Sequence, residues 1–372
     1  MASVVKCLGR AEVCCLTGAG AKSKEKDWSS EIEEPFGARI YRRPSAFDQA
    51  QGLQMLSLGA SLTEILIREH PQVVQLATAS EGYVALQLNR WLKLPYVIYA
   101  HGNEILEAAD LAWQKPKWSL QRASRVLANS QFTAGLVAEL GVQKDKIAVL
   151  HPGCDVERFQ PREVTMTFRQ QILGEQWNKR VILTIGNLVE RKGHDMVIRT
   201  LPRVLQAVPD VVYLIAGDGR HRAQLERIAL DMGVQKNVIF AGQAPDDLLP
   251  QIYALADVFI MPSRMRREFC DVEGFGMVFL EASACRKPVI AGRCGGIPDA
   301  VVDGVTGLLV DPSNSEDIAK SMIRILLSPA LAEQFGEQGR ERVLREFTWD
   351  RFAGRLRELL NTIVTEHSSG AS

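Results

Sequence analysis

The chain has 372 residues, 44 lysines and arginines against 44 aspartates and glutamates, and is 46% apolar and 24% charged. That is about twice the length of an ordinary domain, which predicts two domains with separate cores. Balanced charge leaves no global field to draw nucleic acid, so nucleic-acid binding is not expected and any anion site must be local.

The seven cysteines, at positions 7, 14, 15, 154, 270, 285 and 294, form no C-x-x-C pair and no metal-ligand spacing. Buried free thiols in a reducing cytoplasm are expected, with no metal site. No window reaches the roughly 18 apolar residues of a membrane span. Lys6, Arg10 and Glu12 stand where a signal peptide needs an apolar run. These features predict a cytoplasmic protein.

In chain order, GRAEVCCLTG reads as a second strand, so the first strand-loop-helix unit of a doubly wound domain is expected to be absent or degenerate. From residue 95, short β-rich runs (PYVIYAHG, RVLANS, IAVLHPG) alternate with helical ones such as SQFTAGLVAELG, the rhythm of βα units on a parallel sheet. The linker-like stretch 151–165, HPGCDVERFQPREVT, places a domain boundary near residue 156. The rhythm resumes in RVILTIGN, DVVYLIAGDG, NVIFAG, DVFIMPS and PVIAG, followed by helical patterns at 315–328, 330–346 and 349–366. The expected fold is α/β, two Rossmann-like domains facing a cleft, covering 1–155 and 156–348, with a closing helix at 349–366.

Three loops carry candidate chemistry. In MPSRMRREFCDVEGFGMVFLEASAC (261–285) a strand ends, a polar loop follows and Glu-Gly-Phe-Gly opens a helix. Such a turn presents free backbone N–H groups to an anion, and Gly274 and Gly276 let the backbone approach a ligand. Glu273 in the loop and Glu281 in the helix are positioned to meet one cleft at different depths. A glutamate before a glycine is also a common way to start a helix. GNLVERKG (186–193) puts Arg191 and Lys192 at a strand's carboxyl end, where open α/β sheets bind ligands, suited to neutralise a diphosphate. His101, directly after PYVIYA, suits a sugar hydroxyl or a developing charge, and equally a satisfied loop histidine. The G-D-G-R turn at Gly217 is a weaker nucleotide contact, without the full G-x-G-x-x-G pattern.

The runs E-G-F-G-M-V-F-L-E, V-E-R-K-G, H-G-N-E, G-C-D-V-E-R-F-Q-P, A-G-D-G and C-G-G-I-P-D-A-V-V-D-G-V-T-G-L-L-V together resemble the retaining glycosyltransferases of family four, which have the GT-B fold. The likeness covers residues 95 to about 350, and D-V-E-G-F-G is similar to the bacterial phosphatidylinositol mannosyltransferases. The resemblance implies that Glu273 contacts the transferred sugar, Glu281 holds the ribose and Lys192 binds the diphosphate. It implies that His101 lies beside the reacting sugar and that the backbone of Phe275, Gly276, Met277 and Val278 cradles the phosphates. It further implies retention of configuration with a UDP- or GDP-sugar donor, neither metal nor cofactor, and a final helix returning to the first domain. Two departures stand out: Asn187 occupies the place where many relatives carry a diphosphate-binding arginine, and the opening acceptor-loop unit is missing.

Between Asp110 and Glu139 no acidic residue occurs, while Lys115, Lys117, Arg122 and Arg125 accompany Trp113 and Trp118. This pattern suits a peripheral contact with anionic lipid at the inner face of the cell membrane, or a solvated helix with its tryptophans turned inward. The leading expectation is transfer of a hexose, with mannose the first candidate, to a lipid or glycan acceptor. The alternatives are a non-catalytic paralogue used as a binding or assembly subunit, and a dinucleotide-dependent oxidoreductase, which lacks its fingerprint here.

Overall fold

The computed structural model describes residues 14–18, 39–43, 63–79, 82–110 and 114–370. The expectation of a missing opening unit turns on residues outside that set, as does Trp113. Two short strands, β1 (Cys14–Gly18) and β2 (Arg39–Arg43), pair in parallel. A second parallel sheet takes β3 (Val74–Leu76), β4 (Tyr96–Ala100), β5 (Arg125–Ala128) and β6 (Ile147–Val149) in sequential order.

The third sheet holds β7 (Arg180–Ile185), β8 (Val211–Ala216), β9 (Val238–Gly242), β10 (Val258–Met261), β11 (Val289–Gly292) and β12 (Gly307–Val310). Its order is β12-β11-β10-β7-β8-β9, all parallel. β7, the first strand of this sheet in the chain, therefore lies beside β10, and the chain winds outward from that pair in both directions. Loops leaving the carboxyl ends of strands at such a switch point diverge to opposite faces and leave a crevice between them. Those two loops are GNLVERKG and PSRMRREFCDVEGFG.

The strands read as apolar runs because both faces are covered. Side chains alternate faces: Val181, Leu183 and Ile185 of β7 enter one core while Ile182 enters the other. In the second sheet, Tyr96, Ile98 and Ala100 face one core, and Val97 and Tyr99 the opposite one. That last core is closed by the helix Trp349–Gly370, whose Phe352, Ala353, Leu356 and Ile363 pack with Val97, Tyr99, Leu127 and Leu150. Burying each such side chain contributes about 1.5–3 kcal/mol, which explains why a helix that follows the second domain in sequence docks on the first. Arg125 Nη2 also donates to Glu366 at 2.9 Å.

The helices Ser315–Leu327 and Pro329–Glu346 follow the expected pattern to within a residue. The short helix Ile297–Ala300 was not expected, its four residues being too few for a helical period to show. The two domains meet directly, with Val272 N–H donating to Asn103 Oδ1 at 3.0 Å.

Candidate functional site

The loop after β7 is set by backbone chemistry. Gly193 adopts φ +75° and caps the helix His194–Ala207, and a Cβ there would collide with the Pro262 carbonyl. Only glycine satisfies both demands without strain. His194 is buried beside it, its ring nitrogens 3.2 Å from Tyr213 Oη and 3.3 Å from the Asn187 carbonyl. Burial pushes its pKa down to about 4, so the imidazole is a neutral strut. The turn Glu190–Lys192 thereby projects Arg191 and Lys192 into the crevice.

The loop after β10 answers it. Arg266 and Asp271 exchange backbone hydrogen bonds at the base of a small hairpin, and the chain continues into Glu273. Arg191 Nε donates to Asp271 at 2.6 Å and its Nη1 to Glu273 Oε2 at 2.6 Å, while Lys192 Nζ donates to the same oxygen at 2.7 Å. Arg191, Lys192 and Glu273 are 12–15% exposed, shielded enough for the charge-assisted bonds among them to exceed an ordinary surface pair. Burial alone raises the pKa of Glu273, but the charges of Lys192 and Arg191 and the bonds they donate outweigh it and hold the carboxyl below its ordinary value. Beyond it, Gly276 takes φ +98° and opens the helix Met277–Ala284, whose first turn no side chain caps. Those N–H groups remain available to an anion.

From the first domain, His101 directly follows β4. Its backbone N–H donates to Glu104 Oε1 at 2.6 Å, its carbonyl accepts from Asn129 Nδ2 at 3.1 Å, and its ring lies edge-on to Tyr99. Ring Nε2 is 3.0 Å from the Ala77 carbonyl, which only accepts, so Nε2 carries hydrogen and Nδ1 is left to accept or donate elsewhere. Gly274 packs on this strand end so closely that a Cβ would collide with the His101 carbonyl oxygen.

These loops enclose a cavity of about 540 Å³ lined by His101, Arg191, Lys192, Glu273, Phe275, Gly276, Met277 and Val278 among others, with Trp349 and Phe352 of the final helix. Two sequence-named residues do not line it. Glu281, one and a half turns along the donor-side helix, accepts from Tyr253 Oη at 2.7 Å, and burial raises its pKa. Gly217 packs on Gly186, where a Cβ would collide with the Gly186 carbonyl, so its place is set by β7–β8 packing. Asn187 is also outside the cavity, its carbonyl engaged with His194.

Sequence reasoning missed Asp271, Asn129 and Tyr253. Asp271 stands in the same D-V-E-G run as Glu273, so its acidity was visible and its target was not. Asn129 and Tyr253 gave no signal, because one closes a strand and the other is a core aromatic until folding brings a partner to each. On the outer surface Trp118 is 44% exposed, beside the buried Ser119 and Leu120, so it does not turn inward.

A model of the Glycosyltransferase Family 4 domain matches residues 3–158, and one of Glycosyl transferases group 1 matches residues 166–342. The GDP-mannose-dependent alpha-(1-6)-phosphatidylinositol monomannoside mannosyltransferase of Mycobacterium tuberculosis is 37% identical over 289 residues, 68% of this chain and 74% of that protein. The enzyme of the same description from Mycolicibacterium smegmatis is 41% identical over 232 residues, 62% of this chain and 60% of its own length. Among solved structures, Anabaena HepE in complex with UDP superposes with a TM-score of 0.77 at 20% identity, covering 94% of this chain and 100% of that one. Sucrose-phosphate synthase from Thermosynechococcus elongatus gives 0.76 at 22%, covering 96% and 92%. Both show the shared two-domain fold.

Proposed function

Because the chain belongs to the family-four glycosyltransferases, we propose that it moves a mannosyl group from GDP-mannose to a phosphatidylinositol-type lipid, with retention at the anomeric carbon. The observation that carries this reading is the position of Glu273 beneath Arg191 and Lys192 at the switch point, facing a cleft that His101 enters from the other domain. The relatives that act on phosphatidylinositol mannosides supply the donor and the acceptor class.

In this reading the donor's diphosphate lies against Lys192, Arg191 and the N–H groups of Met277 and Val278. As the anomeric bond breaks, negative charge grows on the departing phosphate, and fixed cations and dipoles in a partly dry cleft favour that charge more than they favour the intact donor. Glu273, kept ionised by its two cations, accepts hydrogen bonds from the sugar hydroxyls and orients the ring. The nucleoside extends past the lined cavity along the helix Met277–Ala284, where Glu281, steadied by Tyr253, takes the ribose diol. His101 lies on the side from which the acceptor approaches, and Asn129 fixes its carbonyl. The acceptor hydroxyl attacks the face that the diphosphate leaves and gives its proton to the departing phosphate oxygen as the anomeric C–O bond breaks, which keeps the configuration. Two side-chain cations meet the leaving group, so transfer should proceed in EDTA.

The exposed Trp118, with Lys117 and Arg122, suits a protein resting on the anionic inner face of the cell membrane. Among the described residues no helix is long and apolar enough to cross a membrane. The deciding experiment incubates purified protein with radiolabelled GDP-mannose and vesicles containing phosphatidylinositol mannoside. Labelled lipid that appears with GDP-mannose and not with UDP-glucose supports the assignment. No product and no thermal stabilisation by either nucleotide sugar would sink it, since saturation at about a hundred times Kd adds roughly 2.7 kcal/mol.

A further inference from the structure

We propose that Asp299, acting with His151, is a positioning residue for sugar transfer: a latch between the two domains that keeps the loop Glu273-Gly274-Phe275 in register with the first domain. Its kinetic consequence rests on the transfer reading above, whereas its geometry does not.

Asp299 sits in the short helix Ile297–Ala300 of the second domain. Its Oδ2 accepts from two groups far away in the chain, Gln131 N–H at 2.6 Å and His151 Nε2 at 2.9 Å. Gln131 opens the helix Gln131–Glu139 of the first domain, and His151 belongs to the linker. One carboxylate oxygen thus joins both domains and the hinge between them. The side chains are 15% and 24% exposed, so solvent screens the contact less than an open surface pair. Arg342 donates to the carbonyls of Asp299 at 2.7 Å and Ala300 at 2.9 Å, fixing the short helix from behind.

The latch reaches the donor loop by contacts of its own. Gly296 N–H donates to the Glu273 carbonyl at 2.9 Å. Gly295 and Gly296 lie so near that a Cβ on the first would collide with the Glu273 carbonyl and one on the second with that of Gly274. The His151 ring stacks on Phe275, centroids 5.4 Å apart and planes 27° from parallel. The segment holding the sugar-facing carboxylate is therefore backed by the element that Asp299 ties to the first domain. Releasing that tie leaves the second domain's own ligand groups in place and lets them drift from His101 and the acceptor.

The latch can be cut without removing a side chain from it. Gln131 is the first helical residue, and its exposed side chain lies outside the latch. Proline is well tolerated at that position, and Ser130 before it already has an extended backbone, φ −156° and ψ 165°. Gln131→Pro therefore deletes the N–H that Asp299 accepts, while Gln131→Ala keeps it. With GDP and GDP-mannose as probes, Gln131→Ala should match wild type throughout. Gln131→Pro and Asp299→Ala should hold GDP affinity within about twofold while kcat falls roughly ten- to a hundredfold. Both should show a larger radius of gyration in small-angle scattering. His151→Gln, which keeps a donor, should lose less than His151→Ala. The proposal is overturned if Gln131→Pro and Gln131→Ala share one turnover rate and one radius of gyration, or if GDP affinity falls in step with kcat. Should wild-type protein transfer nothing, the transferase reading falls, and the scattering comparison of Gln131→Pro with Gln131→Ala alone decides the latch. If Gln131→Pro fails to fold, Asp299→Ala carries the same comparison.

Discussion

Lys192 Nζ and Glu273 Oε2 stand 2.7 Å apart although 81 residues separate them in the chain. Each shields the other's charge in a cleft that water reaches poorly, and each is then available to a different part of one diphospho-sugar. Removing the cation leaves a shielded carboxylate with one partner fewer, facing the incoming phosphates. Lys192→Ala should weaken GDP binding by roughly ten- to a hundredfold, the range of one charge-assisted hydrogen bond. Isothermal calorimetry with GDP checks this, and an unchanged Kd would remove Lys192 from the donor site.

The two acids should respond oppositely to pH. Glu273 has a folded pKa below its ordinary 4.5, so its contribution to stability is complete above that value and is lost as pH falls through the folded one. Glu281 has a raised folded pKa, so ionising it opposes folding, increasingly as pH climbs from 4.5 through the folded value. Glu273→Gln should therefore destabilise at pH 7 and matter little in strong acid. Glu281→Gln should raise Tm at pH 7 while weakening GDP binding about five- to tenfold, the worth of one hydrogen bond. Thermal unfolding across pH 3 to 8 tests both signs.

At Gly274 the backbones of the two domains touch, so its missing side chain is a fit requirement. Gly274→Ala drives a methyl into the His101 carbonyl oxygen. The cost is about 1–3 kcal/mol of overpacking if the structure holds, or a widened cleft if it gives. Mannosyl transfer should fall more steeply than GDP affinity, a ratio that enzyme kinetics beside calorimetry will show.

The last helix should behave as part of the first domain. Leu356 is fully buried against its sheet. Leu356→Ala should cost about 2–5 kcal/mol, and hydrogen exchange should accelerate first in β4 and β5 rather than in β7 to β12. Glu366→Ala, which breaks the exposed pair with Arg125, should cost about 1 kcal/mol or less. Equal loosening of both sheets would contradict the assignment of this helix to the first.

Much of this was legible in the chain because local patterns are local physics. Apolar runs such as VVYLIA mark doubly covered strands, a glycine after a strand marks a tight turn, and E-G-F-G marks a helix opening toward a ligand. That information placed Arg191, Lys192 and Glu273 on two loops and suggested one ligand for them. It also singled out Glu281 and Gly217, which lie beyond the cavity lining, where Glu281 meets Tyr253 and Gly217 packs on Gly186.

The sequence by itself determined the alternation of strands and helices and the chemical kinds of groups at the carboxyl ends of the strands, since each depends on residues within a few positions of one another. Only the tertiary structure decided that β7 lies beside β10, that Asp271 and Glu273 share Arg191, that Tyr253 holds Glu281, and that Asp299 reaches across to Gln131 and His151. Those pairings join residues from 28 to 168 positions apart. They follow from which apolar faces pack together, and packing is a property of the whole chain rather than of any window within it.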